Sequence, residues 1–386
     1  MTEKIWIIGR GYPTAANNRL GNFELEQARI LAKAGMDVTY LVTDLHSIRR
    51  RRPLGYLTRM EEGVSIATAS IPLGGLVPPR MMGRLGYSQL GQLMKVLEKR
   101  SGRPDIIHVH YMSTLPYRFL VPWQKKGIKI VWTEHWSKVQ DKTISEEQKE
   151  NLKQYAENAD AVCCVGSSLE RSIREMTGTE RPIHIIPNVL YGEFRPRSEH
   201  HEGFRFVSIG RMVAVKQYDL LARAFLEAFK GRPEVTLTMT GSGPEFEKIA
   251  GIVRDADAGR QILLTGQLPH EKIAGLLASS DAFVGFSELE TFCVPAVEAW
   301  SCGKPVITTT TTTVFADHPD ERLGIMVPPD SPGQLKEAMQ RMVSEYDRYD
   351  PAWISEYADT HFSERVFLEK MLALYEELCQ PTGGCS

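Results

Sequence analysis

The feature that most constrains the fold is a regular alternation of short apolar runs with helical patterns. Lys4–Ile8 and Val38–Val42 have the length and composition of buried strands, and Asn22 to Ala34 between them has a helical pattern that stops at Gly35. Because parallel strands must be joined by crossovers, which are usually helices, the alternation predicts parallel sheets covered by helices on both faces. Further strands are predicted in this half at Ile106–Val109, Lys129–Trp132, Ala161–Val165 and His184–Ile186.

The alternation breaks once, at the polar stretch Arg195–Gly203, and then restarts. A chain of 386 residues is also longer than one hydrophobic core usually organises. We therefore predict two α/β domains of similar size, joined near this stretch. An apolar face near the end predicts a terminal amphipathic helix, for which either domain could supply the packing surface. That face consists of Phe367, Met371, Leu374 and Leu378.

Bulk composition argues against several classes of protein. The net charge of −2 gives no overall attraction to nucleic acid. No apolar run approaches the ~20 residues that a membrane-spanning helix needs, and Gly and Pro interrupt the first residues too early for a signal peptide. None of the six cysteines stands in a Cys-x-x-Cys motif, so neither a zinc site nor a disulfide framework is indicated. We therefore expect a cytoplasmic location.

Two of the three glutamates in the stretch FSELETFCVPAVEAW, Glu290 and Glu298, lie around the start of a predicted helix. Pro295 suits the first helical position, so Glu290 lies in the preceding loop and Glu298 about one turn inside the helix. In open α/β sheets this position, beyond the carboxyl end of a strand, is where ligands bind. The N–H groups of a helix start favour phosphate, and carboxylates accept hydrogen bonds from hydroxyls. The pair therefore fits a sugar–phosphate–ribose ligand, with two solvated carboxylates as the alternative.

A second group of residues belongs to the same predicted domain. Gly210-Arg211 follows a strand, and Lys216 comes five residues after the arginine, before a helix. Two cations in such a loop fit a diphosphate, because Arg binds phosphate oxygens bidentately and Lys acts as a point charge. Gly241 and Gly243 follow the next strand and allow close approach of the backbone to a ligand, although a plain turn would use the same residues.

The ordered set of motifs resembles the retaining glycosyltransferases of family 4, which have the GT-B fold. In the second half the matching motifs are Gly210-Arg211 with Lys216, Gly241-x-Gly-Pro244, Ser287-x-x-Glu290-x-Phe292, Glu298-Ala and Cys302-Gly-Lys-Pro305. In the first half they are RPDIIHVH, VWTEHWS, ENADAVCCVGSSL and IPNVLYGEFRP. The resemblance implies an α/β fold of two Rossmann-like parallel-sheet domains facing a cleft. Residues 1–196 would bind the acceptor, residues 203–352 would bind the donor, and a helix at 359–380 would pack back on the N-terminal domain.

The resemblance also implies which residues bind the donor. Arg211 and Lys216 would hold its diphosphate, and Glu298 would bind the ribose hydroxyls. Gly241 would lie beside the donor, and Leu268 would contact the base through its backbone.

The transferred sugar is expected beside Glu290. Glu290 would contact it, His135 would face it from the N-terminal domain, and Gly21 would approach the phosphate and acceptor region. The backbone next to Glu290 would take part through Thr291, Phe292 and Cys293. The family often has Gly at the positions of Thr291 and Cys293, and a cysteine does not readily take positive φ. The predicted catalytic residues are Glu290, His135, Arg211 and Lys216.

The expected reaction moves a sugar from a UDP- or GDP-sugar to an acceptor hydroxyl and retains the anomeric configuration. Arg211, Lys216 and helix-end amides would stabilise the leaving phosphate. The resemblance implies no cofactor and no obligatory metal, and it suggests bacterial cell-surface polysaccharide or glycolipid biosynthesis. A GT-B-fold nucleotide-sugar epimerase and a non-catalytic nucleotide-sugar-binding homologue are the alternatives.

Three other patterns carry weaker functional interpretations. Gly9-Arg-Gly11 resembles the start of a dinucleotide fingerprint, but Thr14 stands in place of the third Gly. His108 and His110 alternate along a strand, and we expect structural roles because no carboxylate or Cys completes a metal site. Asp255-Ala-Asp257 resembles the metal-binding motif of other glycosyltransferases, but its polar surroundings favour a solvated surface.

Basic residues cluster in the N-terminal half. Arg49–Arg52 and Arg59 precede a stretch in which leucines alternate with Arg80, Arg84, Lys95, Lys99 and Arg100. Such a run is usually a solvated face. Because it falls in the expected acceptor domain, the other hypothesis is peripheral binding to the anionic inner face of the plasma membrane. The expected partners are a nucleotide sugar and a glycan, lipid-linked or small-molecule acceptor, with no nucleic acid.

Overall fold

The computed structural model of the chain describes residues 3–13, 20–47, 49, 53–74, 77–190, 192–197 and 201–380. The chain divides into two compact units, an N-terminal unit made of Met1–Pro187 with Phe367–Ser386, and a C-terminal unit, Asn188–Val366. Thr14 and Arg50–Arg52 lie outside the described residues, as does the side chain of Arg80.

The division falls earlier than the expected boundary at 196–203. The segment after residue 187 is tied to the C-terminal unit by hydrogen bonds. The Leu190 amide donates to the Phe362 carbonyl (3.0 Å), and Ser301 Oγ donates to the Phe194 carbonyl (2.8 Å). These contacts show that the chain has already joined the C-terminal unit at Leu190 and Phe194, before the polar stretch begins.

The described part of the N-terminal unit is built on one sheet. Its strands are β1 (Lys4–Ile8), β2 (Asp37–Ser47), β3 (Gly55–Glu61), β4 (Val64–Gly74), β5 (Ile106–His110), β6 (Lys129–Glu134), β7 (Ala161–Cys164) and β8 (Ile183–Ile185). Their order is β3-β4-β2-β1-β5-β6-β7-β8, and all neighbours are parallel except β3 and β4. The sequence did not reveal this antiparallel hairpin. It turns at Glu62 and Gly63, both at positive φ, and Glu hides the usual Asn-Gly signal.

Helices cover this sheet. They are α1 (Asn22–Lys33), α2 (Pro79–Ser101), α3 (Val121–Gln124), α4 (Ser137–Gln140), α5 (Glu146–Asn158) and α6 (Ser167–Thr177). The terminal helix, α14 (Glu364–Cys379), buries Phe367, Met371, Leu374 and Tyr375, so the expected packing on the N-terminal unit is confirmed. The helix expected at 359–380 is in fact the end of one helix followed by α14, because Ser363 between them is extended.

The C-terminal unit repeats the architecture. Its strands are β9 (Phe204–Ile209), β10 (Val235–Thr240), β11 (Ile262–Gly266), β12 (Ala282–Val284), β13 (Val306–Thr309) and β14 (Gly324–Val327), all parallel in the order β11-β10-β9-β12-β13-β14. Its helices are α7 (Tyr218–Ala228), α8 (Phe246–Asp255), α9 (His270–Ala278), α10 (Val294–Ser301), α11 (Thr313–Asp317), α12 (Pro332–Ser344) and α13 (Pro351–Phe362). The predicted pair of parallel α/β sheets is confirmed.

The strand order locates a binding crevice in this unit. Successive strands are added on one side of β9 up to β11 and then on the other side from β12, so the order reverses between β9 and β12. In doubly wound sheets, ligands bind at the carboxyl ends of the strands at such a switch point. The loops that leave β9 and β12 carry Arg211, Lys216 and Glu290.

Candidate active site

The loop after β12 holds the first of the predicted glutamates. We call Ser287–Cys293 the glutamate loop. Lys216, in a single turn of 3-10 helix after β9, forms an ion pair with Glu290 Oε1, and Ser287 Oγ donates to the same oxygen (2.9 Å). Burial alone would lower the pKa of Lys216, but Glu290 outweighs it and raises that pKa. Two residues predicted from separate motifs therefore meet at the switch point.

Threonines at the end of β13 and beyond it fix the backbone of the glutamate loop. Thr309 Oγ1 donates to the Ser287 carbonyl (2.7 Å), and Thr313 Oγ1 donates to the Glu290 carbonyl (2.8 Å). Both threonines are fully buried. The run Thr308–Thr313 is evident in the sequence, but its role is not, because the pattern does not show which hydroxyl faces which carbonyl. These two hydrogen bonds fix the position of the backbone from which the Glu290 side chain projects.

Cys293 starts α10 in a strained conformation. Its φ of 77° and ψ of 67° lie in the left-handed region, and its side chain makes no capping hydrogen bond. Cys293 therefore adopts the positive φ that a cysteine does not readily take, and this conformation costs roughly 1–2 kcal/mol. Burial raises the pKa of its thiol to about 12, and Glu290 acts in the same direction, so the thiol stays protonated.

Phe292 and Thr291 complete the glutamate loop. The Phe292 ring is buried and packs edge-on against Phe362, with ring centroids 5.9 Å apart. Thr291 is half-buried. The ring of Phe292 is therefore not available to a ligand, and the expected contact through its backbone stays a prediction.

Arg211 stands beside two interlocked loops. The Gly210 amide donates to the Thr240 carbonyl, and the Met212 amide donates to the Ser242 carbonyl, both at 3.0 Å. Gly241 is required here because a Cβ would lie 1.7 Å from the Gly210 oxygen. The Arg211 side chain is exposed and, within the described ranges, forms no hydrogen bond or ion pair. Its charge is available to an anion.

Leu268 lies at the same edge of the sheet, two residues beyond β11. It is half-buried and follows Gln267, whose Oε1 accepts from Ser242 Oγ (3.3 Å). The Gly241 loop and the Leu268 loop are therefore in contact, and the predicted base contact stays a prediction.

Glu298 is buried inside α10 and is paired with a histidine that the sequence did not single out. His270, the first residue of α9, lies with Nε2 3.2 Å from Glu298 Oε1, and its Nδ1 contacts Glu193. Burial alone would lower the pKa of His270, but the two carboxylates outweigh it and raise that pKa to about 9. Burial also raises the pKa of Glu298, against the opposing effect of His270. The hydrogen bond to His270 holds the buried Glu298 carboxylate in one orientation, and the charge of protonated His270 compensates that of the carboxylate.

In the N-terminal unit, His135 follows β6 in a buried aromatic cluster. Its Nε2 lies 3.0 Å from His110 Nδ1, and its ring centroid is 4.8 Å from that of Tyr111. Buried Glu134 holds the turn by accepting three backbone hydrogen bonds, from the amides of Met112, His135 and Trp136 at 2.9–3.0 Å. The backbone at His135 is therefore fixed from both β5 and β6.

Gly21 caps α1 near the carboxyl end of β1. Its φ is 78°, and a Cβ would lie 1.8 Å from the Gly11 carbonyl oxygen, so only glycine fits. Tyr40 Oη donates to that same carbonyl (2.8 Å). Arg10 lies beside this turn, paired with buried Glu24 (3.1 Å) and stacked over the Tyr111 ring at 3.6 Å.

A cavity of about 710 Å³ opens in the N-terminal unit beyond β5. Helices α2 and α5 form two walls and the segment Met112–Arg118 forms another. Its polar lining combines two arginines with carboxamides and carboxylates, namely Arg84, Arg118, Gln148, Asn151, Gln154, Glu147 and Glu150. A second cavity of about 320 Å³ shares Gly83, Tyr87 and Ser113 with it and extends to Arg10. The two form one groove that leads to the strand ends, which we call the N-terminal groove.

The leucines among the basic residues of α2 face the core. Leu90, Leu93 and Leu97 are buried, whereas Arg84 and Lys95 are exposed. The exposed face of α2 is therefore basic but not leucine-rich. Among the helices that the structure describes, none combines the length and the apolar composition needed to cross a bilayer.

The structure gives no metal-binding role to the two weaker patterns that could have had one, His108 with His110 and Asp255 with Asp257. His108 bonds to Tyr375 Oη and Thr133 Oγ1, both at 2.7 Å, and Asp255 and Asp257 are exposed. Within the described residues, no three His, Cys, Asp or Glu side chains form a group that could hold a metal ion. The prediction that no metal is needed remains a prediction.

Comparison with known proteins defines the class. The fold matches that of HepE from Anabaena, solved in complex with UDP and glucose, with a TM-score of 0.72, 15% identity, and coverage of 97% of this chain and 100% of that one. Two α/β units with these strand orders are those of the GT-B fold. The family described as Glycosyltransferase Family 4 matches residues 21–190, and the family Glycosyl transferases group 1 matches residues 192–359. The chain belongs to the family 4 glycosyltransferases.

Two relatives mark the range of the family. The chain is 26% identical over 216 residues to the phosphatidylinositol N-acetylglucosaminyltransferase GPI3 subunit of Saccharomyces cerevisiae, covering 53% of this chain and 48% of that protein. The match thus spans about half the length of that relative. TuaC of Bacillus subtilis, named for teichuronic acid biosynthesis, is 23% identical over 381 residues and 92% of each chain. The relatives of this chain thus include glycosyltransferases of which one, from a bacterium, is named for polysaccharide biosynthesis.

Proposed function

We propose that this chain transfers a sugar from a nucleoside-diphosphate sugar to an acceptor hydroxyl with retention of configuration. The observation that carries the proposal is the meeting of Lys216, Ser287 and Glu290 at the switch point of the C-terminal sheet. Exposed Arg211 and buried Glu298 lie on loops and helices at the same edge. Cations suit phosphates and carboxylates suit hydroxyls, so this edge fits a ligand that carries both.

Each residue then has a role in the transfer. Lys216 turns from Glu290 to the donor phosphate, and Glu290 takes a hydroxyl of the transferred sugar. Arg211 holds the diphosphate as it leaves with the electron pair of the sugar–oxygen bond. The acceptor hydroxyl attacks from the same face and gives its proton to the departing phosphate oxygen, so the configuration is retained without a protein base. Glu298 binds the ribose, and the chemistry needs no metal.

The N-terminal groove is the proposed acceptor site. Its volume lies within the ~300–1,000 Å³ of small-molecule sites, and its carboxamides and carboxylates suit hydroxyls. We therefore favour a glycan acceptor, with Arg84 and Arg118 able to bind an acidic substituent. A lipid-linked glycan would also use the exposed cations of α2 on an anionic membrane surface, as an enzyme of bacterial surface-polymer or glycolipid synthesis would.

A ligand panel tests donor binding. UDP-, GDP- and ADP-sugars are compared by thermal shift, with UDP-glucose first because HepE was solved with UDP and glucose. A ligand at 100 times its dissociation constant adds about 2.7 kcal/mol of stability. Glu298→Gln and Glu290→Gln should weaken this shift, whereas Asp255→Asn, at an exposed position, should not. No shift with any nucleotide sugar would refute the proposal.

Product analysis tests the reaction. Incubation with the bound donor and glycan acceptors should give a new glycosidic bond with the donor's anomeric configuration, read by proton NMR coupling constants. An inverted linkage would refute retention, and an isomerised free donor would identify an epimerase. Activity that persists with EDTA supports metal independence. Failure to bind anionic vesicles at low salt would remove the membrane hypothesis alone.

A further inference from the structure

A pair of buried histidines in the N-terminal unit is not explained by folding alone. His108 and His110 alternate on β5, and their rings stack with centroids 4.3 Å apart. His108 uses both ring nitrogens, on Tyr375 and Thr133. His110 uses one, since its Nδ1 lies 3.0 Å from His135 Nε2, while its own Nε2 is buried without a hydrogen-bond partner among the described residues.

The position of the proton in this pair follows from the cost of an unpaired donor. Burial holds the pKa of His110 well below its usual value, so its ring is neutral and carries one N–H. If that N–H were at Nε2, the core would contain a donor with no acceptor, and such buried N–H groups are rare. With the proton at Nδ1, the N–H points at His135 and only a lone pair is left unpaired.

From this geometry we propose that His110 is a positioning residue that fixes the tautomer of His135. A donor at His110 Nδ1 requires an acceptor at His135 Nε2. The ring of His135 is then neutral and carries its proton at Nδ1. A protonated His135 would carry an N–H at Nε2, so His110 Nδ1 would have to accept and the proton of His110 would move to its unpaired Nε2. The cost of a buried donor without an acceptor opposes this state.

The consequence for catalysis rests on the proposed function and on the role of catalytic residue that the family resemblance implies for His135. Because its Nε2 accepts the hydrogen bond from His110, His135 has no base at Nε2 to offer the reaction. This agrees with a transfer in which the departing phosphate takes the acceptor proton. The two histidines therefore have different roles. His108 bonds to Tyr375 of α14, and His110 fixes the tautomer of His135.

Histidine ring NMR tests the proposal on the full chain. In protein labelled with ¹⁵N-histidine, the His135 signals are assigned by their loss in His135→Asn. The expected wild-type spectrum has a protonated Nδ1 and an unprotonated Nε2 for His135. His110→Phe, which keeps a buried ring but removes the donor, should release His135 into a mixture of tautomers. A wild-type His135 protonated at Nε2, or an unchanged spectrum in His110→Phe, would overturn the proposal.

Two further variants separate positioning from packing. His110→Asn places an amide nitrogen near the position of Nδ1 and should restore the Nδ1–H form of His135. Tyr375→Phe is the matched control, because it removes a hydrogen bond from the same cluster without touching His135 and should leave the tautomer unchanged. If His110→Asn fails to restore the tautomer while the fold is intact by circular dichroism, His110 acts through packing alone.

The activity measurement depends on the proposed function, but the spectrum does not. With UDP-glucose or whichever nucleotide sugar binds, His110→Phe should lower kcat about tenfold with little change in KM, and His110→Asn should recover most of it. If no nucleotide sugar is turned over, the proposed function fails, while the NMR result still decides the tautomer. A normal kcat in His110→Phe with a changed tautomer would refute the catalytic consequence.

Discussion

Burial of His108 should make the N-terminal unit sensitive to acid. The ring is almost completely buried, and burial lowers its pKa from 6.5 to about 3. A depressed histidine pKa means that the unfolded chain takes up the proton first. Its contribution to stability is therefore fully present above pH 6.5 and is lost as the pH falls toward 3.

The size of the effect follows from linkage. At pH 4.5 the unfolded ring is protonated and the folded ring is neutral. Two pH units at about 1.36 kcal/mol each give a loss of about 2.7 kcal/mol relative to pH 7. His108→Gln removes the titrating group and keeps polar atoms near Tyr375 and Thr133. The variant should therefore lose about 2.7 kcal/mol less than the wild type between these pH values.

Hydrogen exchange measures this difference unit by unit. The free energies of opening come from the β5 and β6 peptides at pH 7 and pH 4.5, after correction for intrinsic exchange rates. His184→Gln, on partly exposed β8, is the matched control and should follow the wild type. An equal acid response in wild type and His108→Gln would refute the argument, as would a His108 ring that titrates above pH 5 by NMR.

Three further predictions concern the C-terminal unit. Cys293→Gly should be about 1 kcal/mol more stable than Cys293→Ala by denaturant unfolding, because both lose the thiol but only Gly accepts positive φ without strain; equal stabilities would contradict this. Thr313→Val should destabilise the unit by about 1 kcal/mol and weaken donor binding, because it removes the hydroxyl that holds the Glu290 carbonyl. Thr360→Val, on the exposed face of α13, should not alter binding. The His270 pKa of about 9 lies above 6.5, so its contribution to stability is complete below pH 6.5 and lost as the pH rises through 9; a thermal melting series should show this alkaline loss in wild type but not in His270→Gln.

The sequence predicted elements whose cause is local. Short apolar runs located six of the eight strands that the structure describes in the N-terminal unit, because the composition of a buried parallel strand is a local property of its segment. It also placed Lys216 and Glu290 at one edge, because successive strand ends in a parallel sheet share that edge. The hairpin at Glu62 was not predicted, because its turn has Glu-Gly in place of the Asn-Gly or Asp-Gly that usually indicates such a turn.

Contacts between distant segments could not be predicted in this way. The bond of His270 to Glu193 joins residues 77 positions apart, and that of Thr309 to Ser287 joins the end of β13 to the glutamate loop, 22 positions away. Neither follows from periodicity or motif, since each depends on the packing of two loops. The orphan nitrogen of His110 is also invisible in the sequence, where HVH is only an alternating strand end.

The ion pair between Lys216 and Glu290 has a consequence for turnover. An anion that draws the lysine away leaves the carboxylate partly buried and without its counter-charge, and only a ligand that also brings hydroxyls restores the balance. Under the proposed function the intact donor satisfies both groups, but the nucleoside diphosphate left after transfer satisfies only Lys216. Glu290 then competes with the nucleoside diphosphate for Lys216 and speeds the release of that product. A residue expected to bind the substrate therefore also promotes product release.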